Sequence, residues 1–280
     1  MGRILVSALL RGGYSVVAYD PDPSAQQAVA SAGATVCPDL SALASCTVVL
    51  LSLPGPAEVR EVVPRLLDSA PPPAVIVDTT TSDPETSRDL AAAAAKRGIG
   101  FLDAPILGRP ATTGQWTTPV GGDPFTVGRV RPILETFARV VHVGPVGTGH
   151  TLKLLNQMMF AVINAATAEV MALAPRLGLS AQLFYETVIS SGAATVSGLF
   201  REVGHKIAQE DFSPVFSVEL LCKDTDLALR MVRRAGGVAV LTPAVQLLNH
   251  LARAQGLSQH DSSALVFVYR RLGEDGRERP

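Results

Sequence analysis

Cysteine is scarce and odd in number: Cys37, Cys46 and Cys222 in 280 residues, with neither C-x-x-C nor metal-ligand spacing. That excludes a disulfide scaffold and a cysteine-based metal site, and the thiols read as small buried hydrophobes in a reducing compartment. Surplus charge is lacking too. The formal net charge is −1 and no long basic or acidic block occurs, which argues against nucleic acid or a membrane surface as principal partner. The first residues carry no signal-peptide pattern, so a cytoplasmic location is expected. No clean membrane span is found either. The most apolar long segment, 152–177, contains Lys153, Asn156, Gln157, Asn164, Glu169 and Arg176, and reads as a core helix. Internal repeats and low-complexity tracts are absent. So is a complete G-x-G-x-x-G.

What is present is enough for one large or two ordinary domains, with 47% hydrophobic residues to build a core. Residues 1–13 have helical apolar spacing and a glycine stop, and 14–20 read as a strand ending in Asp20. Pro21-Asp22-Pro23-Ser24 is a turn and the cap of the next helix. Strands are expected at 47–51, 74–77, 100–102 and 140–143, and helices at 56–67, 84–97 and 123–137. Strands alternating with helices predict an α/β, mostly parallel, doubly wound sheet. After Gly149 the strand signals stop, and 150–177, 181–190, 217–235, 242–255 and 261–272 look helical. Two domains follow: a Rossmann-like α/β domain over 1–148 and an all-α domain over 149–280.

Several stretches carry chemistry. Gly147-Thr148-Gly149 runs into Lys153, Asn156 and Gln157, which helical spacing puts on one face. A lysine in such apolar company tends to lose proton affinity, as a general acid/base lysine does. The same pattern suits a lysine snorkelling from a core helix. Asp20 closes a strand where an acid would hydrogen-bond a cofactor ribose and repel a 2′-phosphate, favouring NAD over NADP. It also suits an ordinary turn. Leu53-Pro54 and Thr79-Thr80-Thr81 follow strands, where such turns border a ligand crevice, although Ser82 or Asp83 is equally apt as a helix cap. Leu107-Gly108-Arg109 follow another strand, with Gly114 and Gly121-Gly122 beyond. Glycine N–H groups and the Arg109 guanidinium there suit a carboxylate. Lys223-Asp224 reads as a surface ion pair or as a lysine reaching a cofactor.

Together these stretches resemble the β-hydroxyacid dehydrogenase family, over nearly the whole chain and in order. Met1-Gly2 looks like the end of the family's G-x-G-x-M-G loop. Val75–Pro84 is similar to D-x-S-T-x-x-P, with Thr80 for Ser and Thr81 on the cofactor-facing Thr. Phe101–Pro105 looks like F-x-D-A-P, and Gly147–Gln157 like G-x-G-x-x-x-K-L-x-N-[NQ]. Lys223-Asp224 with Leu227-Ala228 matches K-D-x-x-L-A, and Asp261–Ala264 matches D-x-S-A.

The resemblance implies an NAD(P)-dependent oxidoreductase of a small-molecule hydroxyacid, working as a homo-oligomer. In it Lys153 would be the general acid/base, with Asn156 and Gln157 orienting lysine and substrate. Gly2, Asp20, Leu53, Pro54, Thr81 and Lys223 would line NAD, with NADP as the alternative, and no metal is required. Two departures stand out. The family's D-A-P-x-S-G-G reads here with Leu107 for the serine and Arg109 for the second glycine. This shifts the expected substrate from 3-hydroxyisobutyrate toward another small β-hydroxyacid, serine or a sugar acid. The first strand and most of the glycine loop are missing, so a native reading frame starting upstream is expected. Competing readings are an imine or keto-acid reductase, and a non-catalytic cofactor-binding member.

Overall fold

A computed structural model describes residues 1–69, 71–109 and 114–272. The chain divides into two compact units, Met1–Lys153 and Leu154–Pro280.

The first unit alternates helices and strands. Helix α1 (Gly2–Arg11) leads to β1 (Val17–Ala18), α2 (Pro23–Ser31) and β2 (Thr35–Val36). A 3₁₀ turn at Leu40–Ser45 precedes β3 (Val48–Leu51), α3 (Pro56–Leu67), β4 (Val75–Asp78), α4 (Pro84–Ala95) and β5 (Gly100–Asp103). Strand β6 (Thr117–Gly121), α5 (Pro124–Leu134) and β7 (Arg139–Gly144) follow. Strands β1 and β2 pair in parallel as a small sheet of their own, and the main sheet has the order β3-β4-β5-β6-β7. All its pairs are parallel except β5–β6, which meet antiparallel at Asp103 and Gly121.

Burial on both faces explains the near-continuous apolar strands. One face packs Leu5, Ala8, Val75, Val77, Leu102, Val127 and Leu134. The other packs Val49, Leu51, Val59, Val63, Leu66, Ile76 and Phe101. Helices α2, α4 and α5 each start on an aspartate, Asp22, Asp83 and Asp123, that accepts a backbone N–H of the first turn, followed by proline. That pairing fixes where each helix begins.

Three elements of this unit differ from the sequence reading. Residues 14–20 form a strand only at Val17–Ala18, and β2 and β6 were not foreseen. Strand β6 contains Pro119, which argues against a strand with ladders on both sides. Its ladder runs along β7, while among the described residues its β5 side is joined only at Asp103–Gly121 and at a Leu107–Thr117 bridge, so the missing donor is tolerated.

The long helix α6 (Thr148–Arg176) begins in the first unit and continues into the second. There α7 (Ala181–Ser190), α8 (Gly198–Ala208), α9 (Val218–Arg234), α10 (Leu241–Ala254) and α11 (Val266–Leu272) follow. The unforeseen α8 holds two glycines, which lower its propensity; burial of Phe200, Val203 and Ile207 outweighs them. The core of this unit gathers Ala161, Ala165, Ala168, Met171, Leu221, Val245 and Leu265. By length and hydropathy alone α6 could cross a membrane, but its Ala161, Ala165, Ala168 and Ala172 are buried in the same core cluster as residues of α8, α9 and α10.

Candidate active site

Two buried carboxylates close neighbouring strands. Asp78 ends β4, Asp103 ends β5, and they are register partners. Asp103 Oδ1 accepts the Gly147 N–H at 2.7 Å and Oδ2 accepts the His150 N–H at 2.8 Å. These amides belong to the start of α6, which has no intrahelical acceptors for them, so a strand-end carboxylate caps the helix. Burial pushes the Asp103 carboxyl up to about 6, against the lowering effect of those N–H groups. Burial also pushes Asp78 up to about 7, against its hydrogen bonds from Thr80, with the Asp103 charge adding to the rise.

This has a consequence for stability. Both carboxyls hold protons in the folded chain at pH values where the unfolded chain has released them, so stability falls as pH rises from about 4 to about 7. The Asp78 contribution is on the order of 2–4 kcal/mol. Urea midpoints measured from pH 4.5 to 8 should therefore decline in the wild type. Asp78→Asn should flatten much of that slope, and an unchanged slope would show that Asp78 ionises normally.

Close approach explains the second glycine of the loop. A β-carbon on Gly149 would lie 2.6 Å from both the Asp103 and Pro119 carbonyl oxygens. The G-x-G spacing thus seats α6 on the ends of β5 and β6. One turn on, Lys153 is half-buried and its Nζ donates to the Ile106 carbonyl at 2.9 Å. Ile106 leads into Leu107-Gly108-Arg109, whose shape is set by the fully buried Trp116. The indole N–H donates to the Arg109 carbonyl at 2.7 Å, and a β-carbon on Gly108 would collide with the indole ring. Leu107 is fixed by paired backbone bonds with Thr117. Lysine and loop are therefore held together. Gly121 and Gly122 belong instead to the end of β6 and its junction with β7, where the Gly122 N–H donates to the Gly144 carbonyl.

Of the expected cofactor residues, Asp20, Leu53, Pro54 and Thr81 follow the carboxyl ends of strands, Gly2 opens α1, and Lys223 lies within α9. The Leu53 N–H donates to Thr80 Oγ1 at 3.1 Å, and Thr79 Oγ1 donates to the Leu51 carbonyl at 2.6 Å, bracing the turns after β3 and β4. Pro54 is exposed and Thr81 half-buried. Asp20, also half-buried, accepts the Asp22 N–H. Gly2 lies beside Ser52, which a β-carbon there would approach to 3.7 Å. Among the described residues no side chain caps α1 at Gly2 or α3 after Pro54, unlike α2, α4 and α5. Uncapped helix N-termini of this kind suit a phosphate, and a carboxylate such as that of Asp20 suits a ribose hydroxyl.

In the helical unit, Gln157 is buried and its Nε2 donates to Asp224 Oδ2 at 2.5 Å. Lys223 pairs with Asp224 Oδ1 at 3.1 Å. Asn156 is exposed. Lys153 and Gln157, one turn apart on α6, thus have different hydrogen-bond partners. Among the described residues no group of three or more His, Cys, Asp or Glu could hold a metal. The capping role of Asp103, the buried His150 and Trp116 were not foreseen. An aspartate closing an otherwise apolar strand was the available signal.

The sequence and the fold match those of known proteins. Residues 1–144 match the NAD binding domain of 6-phosphogluconate dehydrogenase, and residues 147–269 match the NAD-binding domain of NADP-dependent 3-hydroxyisobutyrate dehydrogenase. A probable 3-hydroxyisobutyrate dehydrogenase of Mycobacterium tuberculosis is 33% identical, over 86% of this chain and 85% of that one. The chain belongs to the β-hydroxyacid dehydrogenase family. An NAD-dependent L-serine dehydrogenase of Pseudomonas aeruginosa is 30% identical over 96% of this chain and 94% of that one. The solved Mycobacterium tuberculosis 3-hydroxyisobutyrate dehydrogenase with L-serine superposes with a TM-score of 0.84 at 31% identity, covering 96% of each chain. As a β-hydroxyacid dehydrogenase, the chain is an NAD(P)-dependent oxidoreductase acting on a CH–OH group.

Proposed function

We propose that this dehydrogenase oxidises a small β-hydroxyacid, with Lys153 as general acid/base and NAD preferred over NADP. The observation that carries the reading is the Lys153 ammonium held at 2.9 Å by the carbonyl of Ile106, at the head of the Leu107-Gly108-Arg109 loop. Lysine and loop serve one small molecule: Arg109 and the loop N–H groups grip its carboxylate, and Lys153 meets its hydroxyl. When bound, NAD(P) supplies the acceptor for the hydride leaving the carbinol carbon. Lys153 in its neutral form takes the hydroxyl proton as that carbon becomes a carbonyl, and returns it in the reverse direction. The Ile106 carbonyl accepts from the amine in both protonation states, so the nitrogen keeps its place. The turns after β3 and β4 form the cofactor wall. Gly2, Leu53, Pro54 and Thr81 line that wall, and the Asp20 carboxylate accepts from the ribose and disfavours a 2′-phosphate.

The test is an assay of reduced nicotinamide formation by the purified chain with NAD or NADP. The panel is L-serine, 3-hydroxyisobutyrate and small sugar acids. Saturable turnover of at least one acid, faster with NAD, is the expected result. Faster turnover with NADP would remove the Asp20 argument, and no turnover of any acid would remove the substrate class.

A homo-oligomer is part of this reading. Leu155, Met159, Val170 and Leu173 are exposed along one stripe of α6, at helical spacing. A continuous apolar stripe on a long helix suits burial against a second copy. Light scattering should give a dimer or larger, and Met159→Glu with Val170→Glu should shift it toward monomer. A wild-type monomer would contradict the reading.

A further inference from the structure

His150 takes no part in the proton transfer above, yet it is completely buried. Its ring joins two elements of the first unit. Nε2 lies 2.8 Å from the Thr80 carbonyl and Nδ1 lies 2.7 Å from Ser87 Oγ on α4. A carbonyl only accepts, so Nε2 carries the proton and Nδ1 accepts from the Ser87 hydroxyl. The backbone N–H of the same residue donates to Asp103. Thr80 in turn accepts the Leu53 N–H through its hydroxyl, and Lys153, one turn after His150, donates to Ile106. A single run of hydrogen bonds therefore passes from Leu53 through Thr80 to His150, and from α6 on to Asp103 and Ile106.

We propose that His150 is a positioning residue that sets Lys153 in register with the turns at Leu53-Pro54 and Thr80-Thr81. This rests on the reading of Lys153 as acid/base and of those turns as cofactor wall. The ring is the only described side chain of α6 that reaches the Thr80 carbonyl. Without it the helix start keeps its cap on Asp103, but its hold on the turn after β4 is lost. A buried carbonyl left without a donor then favours rearrangement of that turn. An error of about 1 Å between hydride donor, acceptor and base costs on the order of 10²-fold in rate.

The test compares His150→Leu, His150→Gln and Ser87→Ala with the wild type, using NADH binding by fluorescence and turnover of L-serine or 3-hydroxyisobutyrate. His150→Leu should lower kcat by roughly 10–100-fold and weaken NADH binding by roughly tenfold. His150→Gln, whose amide can donate to Thr80 and accept from Ser87, should recover most of both. Ser87→Ala, which leaves the Thr80 bond in place, should change each by less than about threefold. Amide exchange reads the same link with neither cofactor nor substrate. In His150→Leu, residues 79–81 and 150–153 should lose protection together.

A His150→Leu protein with wild-type kcat, NADH affinity and exchange overturns the proposal. So does one with a lower melting temperature but unchanged kcat and NADH affinity well below it, which marks a purely structural residue. If the wild type turns over no hydroxyacid, the functional reading fails by itself, and the exchange result still decides whether His150 joins the two segments.

Discussion

Lys153→Ala is expected to lower kcat by roughly 10²–10⁴-fold, the contribution of one positioned acid/base group, while NADH affinity shifts by less than about threefold. The expectation follows from where the side chain ends. Its nitrogen is anchored to the Ile106 carbonyl in the loop assigned to substrate, whereas the turns assigned to cofactor are braced by Thr79 and Thr80. The split between rate and affinity is therefore the diagnostic feature. Lys153→Arg keeps the charge and a donor to Ile106 but cannot shed a proton at accessible pH. It should be nearly as slow as the alanine variant. Steady-state kinetics with fluorescence titration of NADH measure both quantities. Unchanged turnover in Lys153→Ala would remove the lysine from the mechanism, and a large loss of NADH affinity would make it a cofactor ligand instead.

The second large effect is expected on stability. Asp103→Ala removes the acceptor of two buried amides, Gly147 N–H and His150 N–H. Each unsatisfied buried donor costs about 1–3 kcal/mol, so a loss of roughly 2–5 kcal/mol is expected. For a domain of this size that lowers the melting temperature by roughly 5–15 °C. Asp103→Asn keeps one acceptor oxygen and should lose about half as much. Urea denaturation followed by circular dichroism checks both. The raised carboxyl of Asp103, about 6, adds a pH signature: the wild type loses stability as pH rises from about 4 through that value and the alanine variant does not, so the variant's deficit should be largest near pH 4–5 and smaller at pH 8. A deficit below about 1 kcal/mol would mean that the start of α6 finds other acceptors.

Much of this architecture can be read along the chain because it is locally encoded. Helix α3 falls at Pro56–Leu67 as expected, since a proline at its first position and apolar residues at helical spacing mark it unambiguously. The breaks at Gly178, Gly236 and Gly256 are equally visible, because each glycine adopts a positive φ just after a helix. Strand β6 is not legible, since Pro119 and Gly121 contradict its propensity and only pairing with β7 supports it. Helix α8 is concealed by Gly198 and Gly204 for a similar reason.

The site divides the same way. A glycine loop running into Lys153 can be seen in the sequence, as can the hydroxyls after β4. The links that position them cannot. Asp103 reaches Gly147 across 44 residues, and His150 reaches Thr80 across 70. No local pattern encodes such separations. Two sequence features also gain new meanings: the second glycine of G-x-G is required by the carbonyls of Asp103 and Pro119, and the lone tryptophan shapes the loop before Arg109.

The most direct measurement follows one hydrogen atom. L-serine or 3-hydroxyisobutyrate, each carrying deuterium on the hydroxyl-bearing carbon, would be oxidised by the wild-type chain with NAD, and the reduced cofactor analysed by mass spectrometry and proton resonance. The account predicts that the faster of the two acids places its deuterium on the nicotinamide ring. Reduced nicotinamide without the label, or no reduction from these acids or the small sugar acids by a chain that binds NADH, would contradict it.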